Sequence, residues 1–259
     1  MNISEFLTIS GSIVPDRVAA AFEDKEYSYQ ALTDRVNRLA SGLSELGVEA
    51  GDRVAILQVN CNQHIETVFA ASKLDAVYVP INFRAKADEV AFMLNDCEPK
   101  VLIVGGRYSK MIKSILPQIK STKIFISLEE SVEGWKDYEE LVSESDDSEL
   151  FPTNDDDDLA VLMFTAGTTG SPKGVMLSHG SFSSYVLNNV SPADPDGEDE
   201  SNLLTVPLYH VAGLQAVMAA VYGGRTIIIE RQFEAKDWMG LVQKYRANRA
   251  MIVPTMLKQ

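Results

Sequence analysis

Short apolar runs alternate with longer segments of helical periodicity along most of the chain. Residues 53–59, 77–80 and 100–104 are short, mainly apolar runs of the kind that forms buried strands. Other segments place apolar residues three or four positions apart, as residues 32–46 do before Gly47, and such spacing is typical of a helix. Strands and helices in alternation predict an α/β fold, with stacked α/β layers and mostly parallel sheets.

Two polar segments interrupt this pattern. Residues 143–158 and 191–200 are too polar to pack in a core, so we expect them to be exposed connections. We predict that residues 50–190 form a first α/β subdomain, and that residues 1–49 together with 200–259 form part of a second. The last residues before Gln259 resemble the start of a helix without packing partners. We therefore expect the chain to be the N-terminal portion of a longer protein.

The charge of the chain argues against polyanionic partners. Acidic residues outnumber basic residues by 37 to 23, and the net charge is −14. Ten of the acidic residues lie in residues 139–158 and five in residues 194–200, and such clusters are usually solvated loops. Because a globally acidic protein gains no electrostatic help in binding nucleic acid or anionic lipid, we expect neither as a partner.

The cysteines and histidines indicate no metal centre. Cys61 and Cys97 lack metal-type spacing, so we expect buried thiols in a reducing compartment. The three histidines, at positions 64, 179 and 210, are too scattered for a zinc site. We interpret His179 as structural and His64 as a surface or packing residue. The first residues lack the basic and apolar regions of a signal peptide, and no apolar run approaches the length of a membrane span. These features predict a cytoplasmic protein without a transmembrane segment.

The segment of residues 159–174 carries most of the chemical information. Six apolar residues, 159–164, predict a buried strand, and the next ten contain three glycines, three threonines, a serine, a proline and a lysine. The glycines let the backbone approach a ligand closely, while the hydroxyls, the amides and the Lys173 ammonium supply donors. This composition predicts a loop that holds a polyphosphate. We expect the loop to join two strands, with a helix beginning near His179.

The spacing within this loop excludes two familiar phosphate-binding motifs. A Walker A loop requires G-x-x-x-x-G-K-[ST] before a helix, whereas here Gly167, Gly170 and Lys173 are spaced by two residues and an apolar run follows. The G-x-G-x-x-G order of a Rossmann fold is also absent. A glycine- and threonine-rich hairpin without a ligand is the remaining alternative, and ordinary turns seldom combine this length, hydroxyl content and a lysine.

The segment from Thr165 to Gly174 resembles the phosphate loop of the adenylate-forming superfamily, which includes the AMP-forming acyl-CoA synthetases. Other segments that resemble this family are residues 27–32, 51–55, 79–82, 207–214 and 253–256. The resemblance implies an acyl-CoA synthetase-like large domain, incomplete here and without the mobile C-terminal domain. It also implies ATP-dependent conversion of a carboxylic acid, with a fatty acid favoured, to an acyl adenylate and then to an acyl-CoA thioester, with Mg²⁺ and CoA.

The resemblance also implies roles for individual residues. The residues expected to bind the β- and γ-phosphates of ATP are Thr165, Ala166, Gly167, Thr168, Thr169, Gly170, Ser171 and Lys173. Thr165 is also expected to face Mg²⁺, and Lys173 and His210 are the expected catalytic residues, with His210 acting by orientation and electrostatics. The residues expected to line the acyl pocket are Tyr209, His210, Val211, Ala212, Gly213 and Leu214.

Several alternatives remain open from the sequence. Within the superfamily, they are an adenylation domain for an amino acid or an aryl acid, and a luciferase-like enzyme. From a different class comes a non-catalytic binding module, and we expect the isolated chain to be inactive. A P-loop hydrolase is disfavoured by the loop spacing. The sequence leaves open which acid is used and whether the protein forms a homodimer.

Overall fold

Two sheets organise the computed structural model, which describes residues 1–165, 172–254 and 256. The strands are β1 (Val18–Phe22), β2 (Lys25–Ser28), β3 (Arg53–Leu57), β4 (Val77–Pro80), β5 (Val101–Gly105), β6 (Ile124–Leu128), β7 (Lys136–Asp137), β8 (Leu159–Thr165), β9 (Lys173–Ser178), β10 (Ser201–Leu204), β11 (Thr226–Ile229) and β12 (Arg249–Ala250). The helices are α1 (Glu5–Ile13), α2 (Tyr29–Glu45), α3 (Asn62–Lys73), α4 (Ala87–Cys97), α5 (Ser109–Ile115), α6 (Tyr138–Glu144), α7 (His179–Asn189), α8 (Val211–Tyr222) and α9 (Ala235–Tyr245).

Both sheets are mostly parallel. The seven-stranded sheet has the order β7-β6-β5-β3-β4-β8-β9, and its pairs are parallel except for β8 with β9. The five-stranded sheet has the order β12-β10-β11-β1-β2, and only β1 with β2 is antiparallel among its pairs in the described residues. This architecture confirms the predicted α/β fold with mostly parallel sheets.

The central strands β3, β4 and β5 are mainly apolar on both faces because both faces are covered. Along β3, Val54 and Ile56 belong to the main core, which also contains Leu204 and Ile227 of the five-stranded sheet. The alternate β3 side chains Ala55 and Leu57 belong to a second core beneath α4 and α5. Successive side chains of one strand thus pack into two different cores, as expected for a parallel sheet between helical layers. The main core lies between the two sheets, with helices α1, α2, α3, α7 and α8 contributing to it.

The polar segment before β8 is mainly exposed, as predicted, but it is tied to the fold. Asp75 ends the turn after α3 with a positive φ of 55°, a conformation that Asp tolerates better than most residues. Its carboxylate accepts hydrogen bonds from the backbone N–H groups of Thr153 and Asn154 and from the Thr153 hydroxyl. Lys73 forms an ion pair with Glu149 in the same segment. These contacts fix the path of the chain into β8.

Candidate active site

The strand pair β8–β9 holds the two ends of the glycine- and threonine-rich loop together. Thr165 and Lys173 are register partners at the end of this antiparallel pair, next to the pair of Phe164 and Gly174. The Thr165 hydroxyl lies 3.5 Å from the Lys173 carbonyl oxygen. The prediction that the segment joins two strands is therefore confirmed, as is the helix beginning near His179.

Most of the predicted phosphate-binding residues lie outside the described residues. These are Ala166, Gly167, Thr168, Thr169, Gly170 and Ser171, and their expected role stays a prediction. Thr165 and Lys173, the described residues at the two ends, are both exposed. Within the described parts of the chain, no carboxylate forms an ion pair with Lys173. The Lys173 ammonium is thus available to an anion at this end of the β8–β9 pair.

A tight turn sets the position of His210. The His210 N–H donates to the Pro207 carbonyl oxygen at 3.0 Å, and the Gly213 N–H donates to the His210 carbonyl oxygen at the same distance. His210 is exposed and is the residue immediately before α8. A Cβ at position 213 would lie 2.5 Å from the Pro207 carbonyl oxygen, so only glycine fits without a shift of the backbone. The turn therefore explains the spacing of the proline, the histidine and the glycine.

An aromatic contact series leads from the β4–α4 connection to His210. The ring of Phe83 packs edge-on against that of Tyr209 with centroids 5.1 Å apart, and the guanidinium of Arg84 lies 5.4 Å from the Phe83 centroid. Partial burial, followed by the positive charge of Arg84, lowers the pKa of His210 below its usual value. The imidazole is therefore neutral near pH 7 and can both donate and accept a hydrogen bond. Sequence reasoning missed Phe83 and Arg84.

One cavity of about 410 Å³ joins the strand pair to the turn. Its lining residues are Met163, Phe164, Thr165, Val175, Leu177, Val206, Tyr209, His210, Val211, Ala212 and Val253. The structure thus brings Thr165 together with four of the residues predicted for the acyl pocket. Gly213 and Leu214 do not line this cavity, and Leu214 is fully buried in the main core. Among the described residues, the lining contains no Asp, Glu, Lys or Arg.

The described residues fit a nucleotide-borne Mg²⁺ better than a metal held by the protein alone. In the described ranges, no group of three or more His, Cys, Asp or Glu side chains is arranged to hold a metal ion. The exposed hydroxyl of Thr165 offers one neutral oxygen at the end of β8. Mg²⁺ in nucleotide sites takes most of its ligands from phosphates and water and few from protein. Thr165 is therefore a suitable protein ligand, although it could not hold the ion by itself.

The other two histidines are buried, which agrees with the structural interpretation of His179 and with the packing alternative for His64. His64 is buried, and its ring nitrogens contact the Tyr78 hydroxyl and, at 3.0 Å, the Gln58 carbonyl oxygen. His179 is also buried, and its Nδ1 accepts from the Ile3 N–H at 3.2 Å. Burial lowers the pKa of each histidine to about 4. Cys61 and Cys97 are free and buried, which agrees with the expectation of buried thiols.

Known proteins resemble the chain over nearly its whole length. Long-chain-fatty-acid–CoA ligase FadD13 of Mycobacterium tuberculosis is 34% identical over 263 residues, covering 99% of this chain and 50% of that protein. Indoleacetate–CoA ligase of Aromatoleum aromaticum is 30% identical over 260 residues, covering 100% of this chain and 51% of that protein. The chain therefore spans about half the length of the curated relatives it matches.

Solved structures agree with the sequence comparison. The inhibitor-bound crystal structure of the N-terminal domain of FACL13 from Mycobacterium tuberculosis matches with a TM-score of 0.89 and 31% identity, covering 99% of this chain and 64% of that one. In the part of this chain that the structure describes, no helix has the length and apolar character needed to cross a membrane. The model of the AMP-binding enzyme family matches residues 10–259. The chain therefore belongs to the AMP-binding enzyme family.

Proposed function

We propose that this protein uses ATP to activate a carboxylic acid as an acyl adenylate and then transfers the acyl group to CoA as a thioester. The observation that carries this proposal is the cavity that Thr165 and His210 share. It joins the end of a loop suited to phosphates to an apolar space suited to an acyl group. An enzyme that couples a carboxylate to a nucleotide needs both, next to each other.

In the first reaction a carboxylate oxygen attacks the α-phosphorus of ATP, and the bond to pyrophosphate breaks. Two anions must approach each other, so donors and positive charge have to be in place beforehand. Lys173 and the loop amides would bind the β- and γ-phosphates and take up the charge of the leaving pyrophosphate. Bound Mg²⁺, with Thr165 as a protein ligand, would neutralise phosphate charge.

His210 would act from the lining of the same cavity. A neutral imidazole can donate one hydrogen bond to a carboxylate or phosphate oxygen. Because it carries no charge, it does not bind the anion as strongly as the fixed positive charge of an ion pair would. The short turn between Pro207 and Gly213 holds the backbone of His210, so little reorganisation accompanies the reaction. In the second reaction the CoA sulfur attacks the acyl carbonyl carbon, and the bond to AMP breaks. The same imidazole would donate to the carbonyl oxygen as charge develops there.

The lining of the cavity favours an acid with an apolar body. An amino acid would bring a charged ammonium group, which needs a carboxylate partner when it is buried, and the described lining offers none. We therefore propose an uncharged acyl group, with a fatty acid as the first choice and an arylacetic or aryl acid as the second. The names of the two relatives, a long-chain-fatty-acid ligase and an indoleacetate ligase, support this range.

The proposal is tested by release of AMP from ATP with a panel of acids. The natural full-length protein is incubated with ATP, Mg²⁺ and fatty, arylacetic, aryl and amino acids, with and without CoA. We expect acid-dependent AMP formation, sustained turnover only with CoA, and a matching acyl-CoA product. Release of ADP instead of AMP, or turnover that does not depend on any acid, would overturn the proposal.

A further inference from the structure

A buried asparagine joins the two sheets next to the candidate active site. Asn60 follows β3 by three residues and is only 2% exposed. Its side-chain Nδ2 donates to the carbonyl oxygens of Val206 and Glu230, each at 3.2 Å. Its Oδ1 accepts from the Leu208 N–H at 2.9 Å, and its own backbone N–H donates to the Arg231 carbonyl oxygen at 3.3 Å. Every polar group of the side chain is therefore used between different parts of the chain.

These contacts connect the ends of strands that belong to different sheets. Asn60 comes from the seven-stranded sheet, in the connection between β3 and α3. Val206 and Leu208 follow β10, and Glu230 follows β11, both in the five-stranded sheet. The single side chain thus spans two neighbouring strand ends of the opposite sheet. Within a fully buried environment these bonds are costly to break, because the carbonyl and amide groups would be left without partners.

The candidate active site also draws its residues from both sheets. Thr165 and Lys173 belong to β8 and β9 of the seven-stranded sheet, whereas His210 follows β10 of the five-stranded sheet. Leu208, which Asn60 holds, is two residues before His210. The distance between the phosphate loop and the imidazole therefore depends on how the segment 206–208 is fixed to the seven-stranded sheet.

We propose that Asn60 is a positioning residue that sets the location of His210 relative to the phosphate loop. This inference rests on the proposed function, because it assigns Asn60 a part in the same reaction. Asn60 does not line the cavity, so it acts through the backbone of residues 206–208. A displacement of about 1 Å of a catalytic group can lower a rate by roughly 100-fold. A contact that fixes the segment two residues from His210 is thus placed to affect the chemical step.

The chemistry of the side chain explains why an asparagine stands at this position. The site requires one acceptor and two donors on a short side chain, which asparagine provides. An aspartate keeps the acceptor for Leu208 but supplies no donor for the Val206 and Glu230 carbonyl oxygens when ionised. An alanine removes all three bonds and leaves space behind. Asn60→Asp therefore removes two of the three side-chain bonds, and Asn60→Ala removes all three.

The test compares Asn60→Ala and Asn60→Asp with a control at a second buried asparagine. Asn2 is also 2% exposed, and it donates to the Ser72 carbonyl oxygen and accepts from the Ser4 N–H, away from the cavity. In the natural full-length protein, we expect each Asn60 variant to lower kcat for acid-dependent pyrophosphate exchange by roughly 10- to 100-fold, with KM for ATP changed less than about threefold. Asn2→Ala should lower the melting temperature comparably and leave kcat within about twofold.

A second measurement does not depend on activity. Hydrogen–deuterium exchange should become about tenfold faster at the Leu208 amide in Asn60→Ala, which removes the acceptor of that amide, while the β5 amides stay protected. If Asn60→Ala fails to fold, the kcat of Asn60→Asp carries the comparison, because this variant keeps the side-chain volume and the Leu208 bond but loses both donated bonds. Unchanged kcat in a folded Asn60 variant would overturn the inference, and so would unchanged Leu208 exchange in folded Asn60→Ala. The inference also fails if Asn2→Ala loses as much kcat as the Asn60 variants.

The design also separates this inference from the proposed function. If the unsubstituted protein shows no acid-dependent pyrophosphate exchange, the proposed function fails, and with it the assignment of Asn60 to that reaction. If the unsubstituted protein is active and the Asn60 variants keep its kcat, only the positioning role fails.

Discussion

The rings of Tyr209 and His210 lie with their centroids 4.2 Å apart and their planes tilted by 44°. Tyr209 is buried and packs against Phe83, so the imidazole rests on a side chain that is itself held in place. Arg84 lies over the other aromatic ring of this series. Partial burial and the positive charge of Arg84 both lower the pKa of His210, although Arg84 donates no hydrogen bond to the imidazole among the described contacts.

The pH dependence of the reaction should respond to Arg84. Burial and the Arg84 charge both lower the pKa of His210, so removing the charge should raise it toward its usual value. If the neutral imidazole is the active form, the acid limb of the pH profile of kcat/KM moves to higher pH in Arg84→Gln. Arg84→Lys keeps the charge and should leave the limb near its original place. A limb that shifts equally in both variants would contradict this electrostatic account.

Lys173 should matter for chemistry and not for folding. Its side chain is exposed, so Lys173→Ala should leave the melting temperature unchanged within error. Loss of a preorganised charge facing the leaving pyrophosphate should lower kcat for adenylation by roughly 10²–10³-fold. The matched control is Lys110→Ala, which removes an exposed lysine from α5 and should have no effect on the rate. Equal rates in both variants would remove Lys173 from the mechanism.

The close packing of the turn at Gly213 can be tested by adding one methyl group, as in Gly213→Ala. In Gly213→Ala, the new Cβ would lie 2.5 Å from the Pro207 carbonyl oxygen, so the backbone near His210 must shift. We expect a loss of about 1–3 kcal/mol in the free energy of unfolding, together with lower adenylation activity. Gly240→Ala in α9 meets open space and should instead stabilise the protein by roughly 0.5–1 kcal/mol. Urea denaturation of both variants measures the difference, and equal effects would be inconsistent with the tight turn.

The buried histidines predict how stability depends on pH. His64 has a pKa of about 4 in the folded protein against 6.5 for the ordinary group, so the unfolded chain binds its proton first as the pH falls. The free energy of unfolding should therefore decrease between pH 6.5 and pH 4, by up to about 1.4 kcal/mol for each unit of that interval. Urea denaturation at several pH values should show a weaker decrease in His64→Gln. An identical pH dependence in both proteins would exclude His64 as a cause.

Much of the fold followed from the sequence because local patterns and tertiary structure agree. The run 100–104 predicted a strand, and β5 occupies Val101–Gly105 with every residue buried. The seven-stranded sheet draws on residues 53–178, and the five-stranded sheet on residues 18–28 and 201–250. The proposed subdomain boundaries near residues 50, 190 and 200 stay a prediction.

Some elements were missed because their local signals are weak. Helix α1 (Glu5–Ile13) contains several hydroxyl residues, and Ser4 before it makes no side-chain capping bond; Phe6 and Leu7 bury the helix against the core. Helix α6 lies at the start of the acid-rich region and is held by buried Tyr138 and Val142. In both cases tertiary packing overrides the local composition.

The candidate site was predictable only where its residues are close in sequence. The loop ends at Thr165 and Lys173, and the turn before His210, are contiguous motifs that sequence patterns describe well. Phe83 and Asn60 contact the His210 segment across more than a hundred residues of sequence, and no local pattern reports such a contact. Leu214 lies in an α8 sequence that is mainly apolar on all sides, so spacing alone could not tell the core face from the cavity face.

The proposed attack of a carboxylate oxygen on the α-phosphorus of ATP can be tested directly with an oxygen label. The natural full-length protein is given its acid labelled with ¹⁸O in the carboxylate, together with ATP, Mg²⁺ and CoA, and the nucleotide product is analysed by mass spectrometry. We predict AMP that carries one ¹⁸O atom and an acyl-CoA that retains the other. Unlabelled AMP, or ADP with the label in inorganic phosphate, would contradict the account.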